Sequence, residues 1–242
     1  MKAVSFAGLG LCLAMNFSSR AADTADQRRQ KQIENSGHVR YELYDRMPGD
    51  SGYPGLTTFT LSNAKLHWTY QQRTGQRPEG RWIIITPRID PDLAIDISHR
   101  VRLPMTSPPS SPWFENLKRH ELDHVAISTD ARVSLLIRHL FLHLPPIERP
   151  AISGSDASRA SINAWIVEEL RLRQEAVSDL IRSGYKSLDE ASAHGRRTLP
   201  DRPGFFAGLY SEKRLVELDF PYLDAVTDLI RTDGYLHPPA PK

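Results

Sequence analysis

Between residues 39 and about 103, apolar and polar positions alternate in short runs, with the two-residue period of half-buried strands. "TTFTLSNAKLHWTY" mixes β-branched and aromatic residues, and "GRWIIITPRI" is a compact apolar run. "LAIDISHRVRLP" alternates Ile95, Ile97, His99, Val101 and Leu103. Turns bearing glycine or proline, "MPGDSGYPG", "RTGQRPEG" and "DPD", separate these runs, and connections so short predict antiparallel pairing.

"PMTSPPSSP" ends the strand pattern and opens a helix, with Ser110 or Ser111 as cap and Pro112 at the first helical position. From Trp113 the apolar positions take helical spacing, Leu117 and then Val133, Leu136, Ile137 and Leu140, until Pro145-Pro146. One long helix over about 112–143 is expected. A second, over about 158–183, carries Ile162, Trp165, Ile166, Leu170, Ala176, Val177 and Leu180 on one side and should break at Gly184. "YKSLDEASAHG" follows as a shorter segment, then one or two further helices and the Pro-rich end "LHPPAPK".

Composition adds little until the first residues are read. The chain has 242 residues, 40% hydrophobic and 25% charged, which is ordinary for a globular protein. Residues 1–22 have a lysine followed by an apolar stretch and the small residues Ser19-Arg20-Ala21, the pattern of an export signal cleaved near Ala21 or Ala22. A periplasmic or secreted protein is expected. Leu11 before Cys12 argues against a lipid anchor, and no segment reaches transmembrane length. Removal of the signal takes Lys2, Arg20 and the sole cysteine, leaving 29 basic against 29 acidic residues and no thiol ligand. A neutral chain carries no electrostatic footprint for nucleic acid or an anionic membrane. Residues 23–38 are polar and read as a flexible leader, 39–200 as the main domain, and 201–242 as a helical extension with its tail.

Inside the first long helix lies "HELDH": His120, Glu121 and His124. Residues i and i+4 share a helix face, so both imidazoles can reach one zinc ion, while Glu121, turned aside, can take a proton from water. Against this stands a plain pair of histidines on an amphipathic helix.

Several residues compete to be the third ligand. Asp130 lies six positions after His124, but Ile127 stands where "HExxHxxGxxH" enzymes turn on a glycine, so the helix should continue and leave Asp130 in solvent. His139 and His143 lie about 22 Å or more along the same helix and suit its C-terminal end. Glu168, Glu169 and Glu175 sit on the second helix, where thermolysin-like enzymes carry a ligand.

In ordered pieces, "AKLHWTYQQ", "VRLPMTSPPSSPWFENLKRHELDH" and "SLDEASAHG", the chain resembles the bacterial domain of unknown function 922, described as secreted zinc-dependent proteases. The likeness spans about residues 40–195. Leu188 and Ser192 stand where that family has tyrosine and threonine. The resemblance makes His194 or Asp189 the third ligand. His194 is favoured because an imidazole beside Gly195 can approach a metal closely, with Asp189 orienting a ligand. Tyr185 is read as structural before oxyanion-stabilising.

The expectation is therefore an α+β, zincin-like fold, with a small antiparallel sheet on a long helix. "AIDISHRVRLP" would be the edge strand beside a peptide or protein substrate. The expected activity is zinc-dependent peptide hydrolysis, with zinc on His120, His124 and His194 and with Glu121 as base. The alternatives are a zinc amidase acting on cell-wall peptides and a non-catalytic periplasmic binding protein with a structural metal site.

Overall fold

A computed structural model describes residues 25–45, 55–105, 111–151 and 157–238. The expected signal at 1–22, the "MPGDSGYPG" turn up to its final glycine and the last four residues lie outside them. Helix α1 (Ala25–Ser36) leads into strands β1 (Val39–Tyr44), β2 (Leu56–Ala64), β3 (Trp68–Arg77), β4 (Gly80–Ile89) and β5 (Ala94–Pro104). Helices α2 (Pro112–Ser128) and α3 (Ala131–Leu142) follow, then β6 (Ile147–Pro150) and α4 (Arg159–Ser192). Four short helices complete the described chain: α5 (Arg202–Gly208), α6 (Glu212–Glu217), α7 (Leu223–Ile230) and α8 (Asp233–Leu236).

The class is α+β, but the sheet is divided. Strands β1-β5-β2 form one three-stranded sheet and β3-β4-β6 another. Pairing is antiparallel except between β1 and β5, which run parallel with Val39 opposite His99. Strand β5 is thus the middle of its sheet, bonded on both sides, and cannot be the free edge expected beside the cleft. The strand that reaches the site is β2, whose Thr57 hydroxyl bonds to Glu121.

The expected long helix is two helices. Ser128 and Thr129 turn their hydroxyls back onto the Val125 carbonyl at 3.0 and 2.8 Å, competing with the helix ladder. Asp130 then caps α3, accepting from the Arg132 amide at 2.9 Å, and its carboxylate is gripped by the Arg132 guanidinium. Asp130 is a buttressed cap and not a solvent-exposed acid. The apolar period survives the break because Val133, Leu136, Ile137 and Leu140 all enter the core from α3.

The second long helix does the reverse and runs through its glycine. At Gly184 a side chain would meet Ile127 Cγ2 at 2.9 Å, so the bare backbone lets α4 lie directly on α2. Helix α4 reaches 34 residues, carrying Tyr185 and Asp189 past α2.

Residues 25–36, read from the sequence as a polar leader, form α1, packed on α2. Helix α2 stands between two apolar cores. Phe114, Leu117, Leu122 and Val125 meet Val101 and Leu103 of β5 on one side. Ile127 joins the larger core on the other, built from both sheets, α3, α4 and the residues after 200, including Tyr210, Leu215, Phe220 and Tyr235. Among the described residues no helix is long and apolar enough to cross a membrane.

Candidate metal centre

Buried on α2, His120 and His124 are 6% and 5% exposed, with their Nε2 atoms 3.2 Å apart. Asp189, near the end of α4, brings Oδ1 to 3.1 Å from His120 Nε2 and 3.2 Å from His124 Nε2. The three atoms form a nearly equilateral triangle and make up a group that could bind a metal ion.

The chemistry of the donors supports a cation. The Ser192 hydroxyl donates to the Leu188 carbonyl at 2.8 Å, so its lone pair faces His120 Nδ1 at 3.2 Å and accepts that N–H. The proton of a neutral His120 is then on Nδ1, and the Nε2 lone pair points at His124 and Asp189. Three such atoms so close are held together by a positive charge among them, either a proton on a ring nitrogen, as in the bond His124 Nε2 can make to Asp189, or a cation. Edges of 3.1–3.2 Å also match the ~3.3 Å edge of a tetrahedral shell with bonds of ~2.0–2.1 Å. His124 Nδ1, by contrast, is a buried atom with no hydrogen-bond partner among the described residues.

Burial opposes the charge on Asp189, but hydrogen bonds and favourable electrostatics with the two histidines outweigh it and hold the carboxyl far below the usual range. The segment after Asp189 is locked in place. Ala193, His194 and Gly195 are all left-handed, with φ of 50°, 56° and 75°. A side chain at Gly195 would meet His120 Cγ at 2.9 Å, so glycine is required there both by its dihedral and by the close approach.

Glu121 is 2% exposed and lines the same cavity of about 130 Å³. Its Oε2 accepts from the Thr57 hydroxyl at 2.7 Å, while Oε1 faces the backbone of Gly55. Burial pushes its carboxyl upward, His124, the Thr57 bond and His120 pull it down, and Asp189 adds a smaller upward push. A carboxylate raised by desolvation beside a cluster of ligands is suited to accept a proton.

Tyr185 packs its ring 4.5 Å from that of His124 and turns its hydroxyl to Ser128 Oγ at 3.2 Å. Burial raises its pKa, which fits the structural role read from the sequence. Ser128 also bonds to His99 Nε2, and His99 Nδ1 bonds to the Gly37 carbonyl, a buried polar chain from α4 through α2 and β5 to the end of α1.

The sequence brought His120, Glu121 and His124 together, and the structure does the same. The two remaining candidates are placed differently. Asp189 supplies the third atom of the group that could hold a metal ion, and His194, the first choice from the sequence, flanks it with Nδ1 3.5 Å from Asp189 Oδ1. The reason is helical: Asp189 follows Tyr185 by one turn on the face packed against α2, whereas the left-handed turn carries His194 beyond the helix end. Glu168 and Glu175 pair with Arg171, and Glu169 with Arg173 and Arg149. His139 and His143 stand at the end of α3, as expected. Sequence reasoning missed Thr57 and the Asp123–Arg202 ion pair, since each depends on a contact across 64 or 79 residues. Ser192 lay in the quoted "SLDEASAHG", but its bond to His120 was not legible.

No family model, curated protein or solved structure matches the chain.

Proposed function

We propose that the chain is a zinc-dependent peptidase, exported by its first 22 residues and related to the domain of unknown function 922. The observation that carries this reading is the triangle of His120, His124 and Asp189 with Glu121 in the same cavity. Three protein ligands beside open space suit a catalytic zinc, since structural sites close the shell with four. When bound, zinc would supply Lewis acidity, polarising a peptide carbonyl and lowering the pKa of water to near 7.

The chain's own residues do the rest. Ser192 holds His120 in the tautomer that presents Nε2, and Gly195 leaves room for its ring. Thr57 fixes one oxygen of Glu121, so that the carboxylate can accept a proton from water and later return it to the leaving amine. Tyr185 shields His124 from solvent on one side.

The test is cleavage of a mixture of unmodified peptides and cell-wall peptides by zinc-loaded protein, followed by mass spectrometry, against the Glu121→Gln variant. Cleavage lost in the variant at unchanged zinc content is the expected result. Products confined to cell-wall peptides would move the reading to an amidase. Identical traces for both proteins would leave a metal-binding protein without hydrolytic activity.

A further inference from the structure

Behind His120 lies a second cavity, of about 140 Å³. Among the described residues, His120 is the one that lines both cavities, so its ring stands between this space and the metal centre. Its charged lining consists of Arg119 and Asp123 from α2, Arg197 from the turn after α4, and Arg202 from α5. Leu188 and Leu199 form apolar wall.

The charges do not cancel. Asp123 is 5% exposed, and Arg202 saturates it: Nε reaches the two carboxylate oxygens at 3.0 and 3.3 Å, with Nη2 bonded as well. The Arg202 guanidinium also stacks over Phe206 at 5.0 Å, which fixes its direction. Arg119 and Arg197 have no carboxylate partner among the described residues, and both are exposed. Arg197 is nonetheless held by its backbone, whose amide donates to the Ser192 carbonyl at 3.0 Å in the same turn that positions His120. The space beside the metal ligand is thus a small, part-apolar recess with two cations in excess.

We propose that this recess is an anion-recognition subsite taking a carboxylate of the peptide substrate, with Arg119 and Arg197 as the recognising groups. This rests on the peptidase reading for the word substrate, and on the lining charges alone for the carboxylate. Arginine is the side chain suited to the task, because its fork of N–H donors matches a carboxylate bidentately. The carboxylate can come from an aspartate or glutamate side chain or from the free end of a peptide.

The experiment uses the full chain carrying Glu121→Gln, with zinc supplied, so that peptides bind without being cut. Calorimetry compares three probes: acetyl-Ala-Glu-Ala-amide, acetyl-Ala-Gln-Ala-amide, and acetyl-Ala-Gln-Ala with a free terminal carboxylate. At least one carboxylate probe should bind about tenfold more tightly than the neutral peptide, the strength of one charge-assisted contact. That advantage should vanish when Arg119→Ala and Arg197→Ala are added, both exposed positions at which unfolding curves should be unchanged. Preference for the glutamate probe would assign the recess to an acidic side chain, and preference for the free terminus would assign it to a chain end. Equal binding of all three probes, or a preference that survives loss of both arginines, would overturn the proposal. Failure of the peptidase reading would show separately, as absence of cleavage by the chain with Glu121 intact, with the binding preference unaffected.

Discussion

Ser192 Oγ lies 3.2 Å from His120 Nδ1 while donating its own proton to the Leu188 carbonyl. That single hydroxyl decides which nitrogen of His120 faces Asp189 and His124. Replacing Ser192 with alanine should weaken metal binding by about 10–100-fold, the usual cost of losing a partner behind a ligand. Ser192→Thr keeps the hydroxyl and should restore most of the affinity. A chelator-competition titration of the three proteins checks this, and full affinity in Ser192→Ala would remove the orienting role.

Gly195 makes a second demand on the same ring. Its φ of 75° and the 2.9 Å approach to His120 Cγ leave no room for a methyl group. Gly195→Ala should destabilise the metal-free protein by about 1 kcal/mol or more, from the left-handed backbone alone. It should also lower zinc affinity by displacing the imidazole. Chemical denaturation of the metal-free variant, followed by zinc titration, separates the two effects. A loss of stability with affinity intact would show that the ring does not feel Gly195.

His99 gives a pH dependence away from the metal. Burial lowers its pKa, the bond to the Gly37 carbonyl opposes this, and His38 adds to it. The folded state therefore binds this proton less readily than the unfolded chain, whose histidine titrates near 6.5. Stability linked to His99 is full above about pH 6.5 and should be lost as the pH falls below it, by on the order of 1 kcal/mol per pH unit. Denaturation curves at pH 7.5 and 5.5 should show a larger loss for the wild type than for His99→Gln. Parallel losses would mean that His99 does not titrate in this window.

Local patterns were legible where local chemistry decides structure. "HELDH" announced a pair of facing imidazoles and a carboxylate because the i, i+4 spacing alone aligns His120 with His124. Strands β4 and β5 and a cap at Ser110 or Ser111, which the structure places at Ser111, were equally visible, but β3 runs on to Arg77 through most of "RTGQRPEG", read from the sequence as a turn. The split of the long helix was written in "STD", three residues that bond back to the backbone, but the apolar period on either side hid it. Gly184 misled in the opposite direction. Its meaning is the contact with Ile127, 57 residues away, and a helix that gains such packing tolerates a glycine costing about 1 kcal/mol.

The parallel pairing of β1 with β5 escaped for a related reason. Short turns predict how sequence neighbours pair, and these two strands have three others between them. The choice between Asp189 and His194 turned on where α4 ends. Once the helix extends to Ser192, Asp189 is on the inner face with Tyr185, and His194 belongs to the turn.

The central claim, that His120, His124 and Asp189 hold the ion, is tested most directly by the zinc content of purified protein after dialysis. The wild type, Asp189→Ala and His194→Ala should be measured side by side by elemental analysis. The geometry predicts one equivalent in the wild type, little in Asp189→Ala and near-full content in His194→Ala. Zinc retained without Asp189 and lost without His194, or no zinc in the wild type when the metal is supplied, would contradict it.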